Sequence, residues 1–298
     1  MARRFATLDV FTDTPLAGNP LAVVLDAEGL DDGAMQAIAR EFNLSETVFV
    51  LPPRDPRHRA ALRIFTPNRE LPFAGHPTVG TAVLLALEDR VSGPADAVVF
   101  GLEELAGTVP CAVETGEGRG RARFKAPILP EYGGEGPEPD ALAAALGLEP
   151  GEIGFSGHEP SRHAAGPAFT FVPIASRGAL DAARPDSAGF AALGDESALY
   201  LYAADPEGLG HRYQTRMFAP HLGIVEDPAT GSAAAAFAGV MMQFAPLGDG
   251  THDVAIRQGV AMGRPSEIAL QLTIASGALQ SVEIGGSAMV VSRGTLLV

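Results

Sequence analysis

Two stretches of this chain are apolar all the way round at helical spacing, and they restrict the fold more than any other feature. Pro77 to Leu87 reads PTVGTAVLLAL, and Gly231 to Phe244 reads GSAAAAFAGVMMQF. A surface helix carries a polar face, so a helix without one must be enclosed on every side. Around these two run short strand-like segments bounded by Gly, Pro, Asn or Asp, among them Phe5 to Phe11, Thr47 to Leu51, Ala61 to Phe65, Arg212 to Phe218 and Glu267 to Ile274. Two enclosed helices amid many strands predict two units, each a sheet wrapped about its own helix.

The remaining elements fit that plan. Asp31 to Asn43 places Met35, Ile38, Ala39 and Phe42 on one helical face. Asp140 to Leu146 and Ser187 to Leu193 read as short surface helices, and Glu114 to Gly120 as a hairpin turn whose glycines open no helix and so form no nucleotide loop. Pro127 to Pro167 is rich in Pro, Gly and Glu and reads as a boundary or an excursion between halves. The expected fold is α+β with a first lobe at 1–126, completed by the last strand at about 287–298, and a second lobe at 127–286.

Composition excludes several functions. The 298 residues carry 21 Lys and Arg against 36 Asp and Glu, a net charge of −15, which repels nucleic acid as a whole. The single cysteine, Cys111, allows neither an internal disulfide nor a cysteine-based zinc site, and the seven histidines form no HxH or HExxH pair, so no metal is expected. No apolar run is long enough for a membrane span, and Asp9 interrupts the N-terminal one before it could serve as a signal peptide. A cytoplasmic protein acting on a small molecule is the expectation.

The two apolar helices share an approach. Phe65-Thr-Pro67 leads to Gly75-His76, and Phe218-Ala-Pro220 leads to Gly231-Ser232, so Phe-x-Pro, a loop and a Gly with a small polar residue recur. The first turn of a helix leaves backbone N–H groups unpaired and carries the positive pole of the helix dipole. Glycine lets a ligand approach that backbone closely, so such ends can hold a carboxylate without Lys or Arg. Ordinary capping by Thr230 or Ser232 is the plainer reading of either motif alone; two together on enclosed helices point to a site.

In ordered blocks the chain resembles the phenazine-biosynthesis PhzF-like isomerases, related in fold to diaminopimelate epimerase. The blocks are Asp9-Val-Phe-Thr-Asp, Ala17-Gly-Asn-Pro20, Met35 to Val50 with Leu44-Ser-Glu-Thr-Val, Phe65 to Thr78 with Gly75-His-Pro-Thr, Phe218 to Ala233 with Glu226-Asp-Pro-Ala-Thr-Gly-Ser, and Gln258 to Ser266. The resemblance implies two pseudo-symmetric lobes, each a rolled, mostly antiparallel sheet around a central helix, with the active site in the cleft between them. It implies cofactor-independent proton transfer beside a carboxylate and a homodimer. Carried over by position, Glu46 is the acid/base, His76 and Asp227 are auxiliary polar groups, Gly75, Gly231 and Ser232 bind substrate at the helix starts, and Asn19 lies on the Gly-Asn-Pro loop. Without the resemblance Glu46 reads as a solvated residue at a strand start, and Asp227 as a turn residue before Pro228.

The chemistry makes its own demand on Glu46. A base that returns its proton works best with a pKa near working pH, whereas a free glutamate ionises near about 4.3, so a desolvated Glu46 is expected. Related epimerases set two cysteines against each other; here the matching positions hold none, and Cys111 lies in a predicted strand outside both motifs. A one-base isomerisation of a small carboxylate-bearing metabolite is therefore the expected reaction. Its alternatives are an epimerase with a non-thiol second base and a non-catalytic carboxylate binder.

Overall fold

The computed structural model describes residues 2–89, 97–194, 198–205, 211–245 and 247–298. The chain divides into unit 1, Met1–Pro127 with Ile284–Val298, and unit 2, Ile128–Glu283. In unit 1 the elements are β1 (Ala2–Val10), β2 (Asn19–Val24), α1 (Asp32–Phe42), β3 (Glu46–Leu51), β4 (Ala60–Phe65), β5 (Glu70–Leu71), α2 (Gly75–Glu88), β6 (Val98–Glu104), β7 (Gly107–Thr115) and β8 (Arg119–Lys125). Unit 2 holds β9 (Glu131–Glu135), α3 (Pro139–Leu146), β10 (Ser161–Ala164), β11 (Ala168–Pro173), α4 (Arg177–Ala182), α5 (Ser187–Leu193), β12 (Leu199–Ala204), β13 (His211–Ala219), β14 (Ile224–Asp227), α6 (Gly231–Phe244), β15 (Gly250–Gln258) and β16 (Ser266–Ala275). The last strand, β17 (Ala278–Leu297), starts in unit 2 and finishes in unit 1.

In unit 1, β1 and β2 are antiparallel, β2 runs parallel to β3, β3 antiparallel to β4, and β4 parallel to β6. The antiparallel pairs β6–β7 and β7–β8 follow, and β17 pairs with both β8 and β1, closing the sheet on itself. Gly285 makes that closure possible, because a β-carbon there would fall against the Ala122 carbonyl and Arg123 of β8. Inside lies α2, with every residue from Gly75 to Ala86 buried. An all-apolar helix finds every direction occupied by sheet, as its sequence requires.

Unit 2 repeats the sequence of pairings. β10 and β11 are antiparallel, β11 and β12 parallel, β12 and β13 antiparallel, β13 and β15 parallel, and β15 and β16 antiparallel. Even the short flap strand recurs, as β5 on β4 and β14 on β13. The enclosed helix α6 packs on β9, β10, β11 and β16. The fold is thus α+β and internally duplicated, each unit a rolled sheet around a central helix.

The structure also departs from the sequence reading. The 127–167 stretch begins at the boundary between the units, in line with the boundary reading, but is no excursion: it supplies β9, α3 and β10 to unit 2. β9 escapes notice because its Glu-Tyr-Gly-Gly-Glu composition suits an exposed strand. α3 buries Leu142, Ala143, Ala145 and Leu146 rather than lying on the surface, because Gly189 of α5 lets that helix sit against the Ala145 backbone. α2 begins at Gly75, two residues before the apolar run at Pro77, since proline fits a first turn whose N–H has no partner. Among the described residues no helix is long and apolar enough to cross a membrane.

Candidate active site

The enclosed helices start differently from three of the four outer ones; α3, opened by Glu138, is likewise without a side-chain cap. Asp31, Ser176 and Asp186 cap α1, α4 and α5, each side chain accepting from a backbone N–H of the first turn. At α2 the N-cap is Ala74, which has no side chain to do this. At α6 it is Thr230, whose hydroxyl instead donates to Asp227 Oδ2 at 2.6 Å. Neither helix start is closed by a side-chain cap, and Gly75 and Gly231 leave each without a side chain in the way.

In unit 1 the fold brings Asn19, Glu46, Gly75 and His76 together. Glu46 opens β3, paired in parallel with Leu21 of β2, and Asn19 opens β2 after Gly18, whose positive φ and contact with the Val10 carbonyl only glycine tolerates. Asn19 is fully buried. Its Nδ2 lies 3.4 Å from His76 Nδ1, and His76 Nε2 lies 3.4 Å from Glu46 Oε2. Burial holds the imidazole neutral, its pKa pushed down to about 3. An amide nitrogen can only donate, so Nδ1 accepts and the ring proton sits on Nε2, facing the carboxylate. Glu46 keeps 15% of its side chain exposed against 5% for His76, although Oε2, the oxygen nearest the imidazole, is sealed from solvent.

In unit 2 the fold gathers Asp227, Gly231 and Ser232 at the start of α6. Asp227 ends β14 and is buried, and Ser232 in the first turn of α6 is half-buried. Gln258, the last residue of β15, ties this turn together: its Nε2 donates to the Asp227 carbonyl at 2.8 Å and to Thr230 Oγ1 at 2.9 Å, and its Oε1 accepts from Thr230 N. Glu226, the neighbour of Asp227, receives a two-pronged bond from Arg216, at 2.9 Å from each nitrogen. Arg216 also donates to the Leu180 and Ala183 carbonyls and lies over the Phe218 ring. The same device stands in unit 1, where Arg63 grips Glu70 and lies over Phe65.

Sequence reasoning missed Gln258, Thr230 and both Arg–Glu pairs as parts of the site. Gln258 stood first in a block of the family resemblance without a role. The spacing Arg-x-Phe-x-Pro surrounds both Phe-x-Pro turns and was the available signal for the arginines. Cys111 lies inside β7, fully enclosed, its thiol pushed up to about 12 by burial and by Glu104; a thiol so placed is no proton shuttle.

Comparison with known proteins places this architecture. The family model for phenazine biosynthesis-like proteins matches residues 8–294. An uncharacterized isomerase of Mesorhizobium japonicum is 47% identical over 99% of both chains. The trans-2,3-dihydro-3-hydroxyanthranilate isomerase of Pseudomonas aeruginosa is 38% identical over 98% of both. A crystal structure of a PhzF-family protein from Bacillus anthracis superposes with a TM-score of 0.87, covering both chains in full at 24% identity. A hydroxyproline epimerase from Agrobacterium vitis shares the fold alone, at a TM-score of 0.62 and 12% identity over 99% of this chain and 91% of its own. The class defined by fold and relatives is that of the isomerases built on the duplicated, epimerase-like rolled sheet. Within it, the chain belongs to the phenazine biosynthesis-like, or PhzF-like, family.

Proposed function

We propose that this isomerase moves a proton between carbons of a small cyclic carboxylate, of the kind named by its 38%-identical relative, with Glu46 as the single acid/base. The observation that carries the reading is the row Asn19–His76–Glu46, which sets the partly exposed Glu46 side chain beside a neutral imidazole at the uncapped start of α2. Glu46 takes a proton from a carbon activated by conjugation and returns it elsewhere on the same face. His76 Nε2, 3.4 Å from Oε2 and not hydrogen-bonded to it, sets a polar N–H beside the carboxylate while it is charged. The first-turn amides at Gly75 bind the substrate carboxylate; in unit 2 the start of α6, with Gly231, Ser232 and Asp227, offers an anion the same kind of amide donors.

The duplication supports one base rather than two. Where β3 opens with Glu46, its counterpart β12 opens with Leu199, preceded by Ala198, both apolar. The position matching Glu46 thus carries no acid or base of the kind an epimerase would use there. The test is incubation with trans-2,3-dihydro-3-hydroxyanthranilate in D₂O, followed by NMR. Wild type incorporates deuterium at carbon, and Glu46→Gln slows incorporation by about 10³-fold, the scale of a lost general base. Incorporation that survives in Glu46→Gln sinks the one-base assignment.

A further inference from the structure

We propose that Glu104 is a positioning residue for this chemistry: in its protonated form it fixes, through the Thr78 hydroxyl, the backbone turn that presents Gly75 and His76. The inference rests on the function proposed above. Glu104 is the last residue of β6, and Thr78 stands in the first turn of α2. Thr78 Oγ1 lies 2.8 Å from the Ala74 carbonyl oxygen and 2.7 Å from Glu104 Oε1. A carbonyl has no proton to give, so the proton between Thr78 and Ala74 belongs to the threonine. A hydroxyl carries one proton, so the bond between Thr78 and Glu104 is complete only when Glu104 supplies its own. The order is then Glu104 to Thr78 to Ala74, ending on the N-cap of α2.

Three further observations agree. Glu104 Oε2 is sealed from solvent with no partner among the described residues, tolerable for a neutral acid and costly for a carboxylate. Burial pushes the carboxyl up to about 8. In unit 2 the corresponding strand end holds an amide, Gln258, whose Nε2 donates to the Thr230 hydroxyl, which in turn donates to Asp227. A protonated glutamate reproduces that donor; a carboxylate does not. The same β6–β7 turn also holds the approach to α2 by a bond from Ala106 N to the Pro72 carbonyl at 2.9 Å.

The titratable groups around Glu104 leave its proton to burial. From β7 it faces Cys111, whose thiol is neutral; on α2 the nearest is His76, also neutral. Glu103, next on β6, is engaged elsewhere, by His58 and by the Arg54 and Asp55 amides. When Glu104 ionises, Thr78 turns its proton from Ala74 to the new carboxylate. The new charge then competes with a substrate carboxylate for the positive pole of α2. Substrate binding therefore weakens on the alkaline side while turnover changes less.

The experiment combines titration with binding and kinetics. Chain labelled with ¹³C at the glutamate carboxyl is titrated by NMR, with the Glu104 signal assigned by its loss in Glu104→Gln. KM and kcat for trans-2,3-dihydro-3-hydroxyanthranilate, and the Kd of inert anthranilate, are measured from about pH 6.5 to about 9.5. Expected is a Glu104 signal that shifts only near pH 8, and a wild-type KM and Kd that rise about tenfold over the alkaline range, the scale of a charge at a partly buried helix start. Glu104→Gln keeps the donor and flattens both curves, whereas Glu104→Leu and Thr78→Val raise both constants about tenfold at neutral pH. A Glu104 signal that titrates in the ordinary carboxylate range, or an alkaline rise that persists in Glu104→Gln, overturns the proposal. Wild type that binds anthranilate with this pH dependence yet fails to exchange the substrate refutes the reaction assigned above and leaves the Glu104 relay supported.

Discussion

Asn19 engages the imidazole nitrogen turned away from Glu46, and that one bond decides which nitrogen carries the proton. Asn19→Ala lets the ring take either tautomer, and one hydrogen bond of about 1–1.5 kcal/mol is lost; the expected result is a kcat about tenfold lower with KM little changed, read by steady-state kinetics. At Glu104 the sign of the pH effect on stability follows from its raised pKa. The folded chain keeps this proton to about pH 8, while an unfolded glutamate loses it near about 4.3. Between those values the unfolded state binds fewer protons, so this residue's contribution falls as pH rises through the window and is constant outside it. Glu104→Gln removes that slope: its Tm advantage over wild type should be absent near pH 4 and largest at pH 8 and above. From the sequence, Glu46 and His76 could be singled out only by their blocks. Glu104 could not, since nothing in Gly-Leu-Glu-Glu-Leu tells which of two adjacent glutamates faces inward.

At the level of elements, the duplicated Arg–Glu grip shows how burial changes the worth of one interaction. Arg216 keeps 4% of its side chain exposed and Arg63 keeps 23%. Removing a partner from a buried pair leaves an uncompensated charge and costs about 3–5 kcal/mol, whereas the more open pair lies nearer the ~1 kcal/mol of surface bridges. Urea unfolding should therefore rank Arg216→Ala well below Arg63→Ala in stability. The apolar runs located both enclosed helices, and the strand-and-turn pattern located most strands. The flap strands β5 and β14 were hidden because they are short and because the turns from Pro67 to Gly75 and from Pro220 to Gly231 differ in length.

For the molecule as a whole, the repeat of Phe-x-Pro and Gly before an apolar helix was visible in the residues, and the repeated order of strand pairings extends it to both complete units. What no local pattern conveys is which distant segment completes a sheet, because pairing between residues such as Ala2 and Leu297 leaves no periodic trace. That pairing makes a further prediction. Deleting the fifteen residues of Ile284–Val298 leaves β1 and β8 without the strand that joins them, so limited proteolysis of the shortened chain should digest unit 1 before unit 2. During translation the same dependence becomes a matter of timing. The opening 127 residues must wait, with α2 incompletely covered, while the 156 residues of Ile128–Glu283 are made, a delay of roughly 10–30 s at ordinary elongation rates. The half of the polypeptide that leaves the ribosome first is thus the half that can finish folding last, and it is the half on which a chaperone would have most to do.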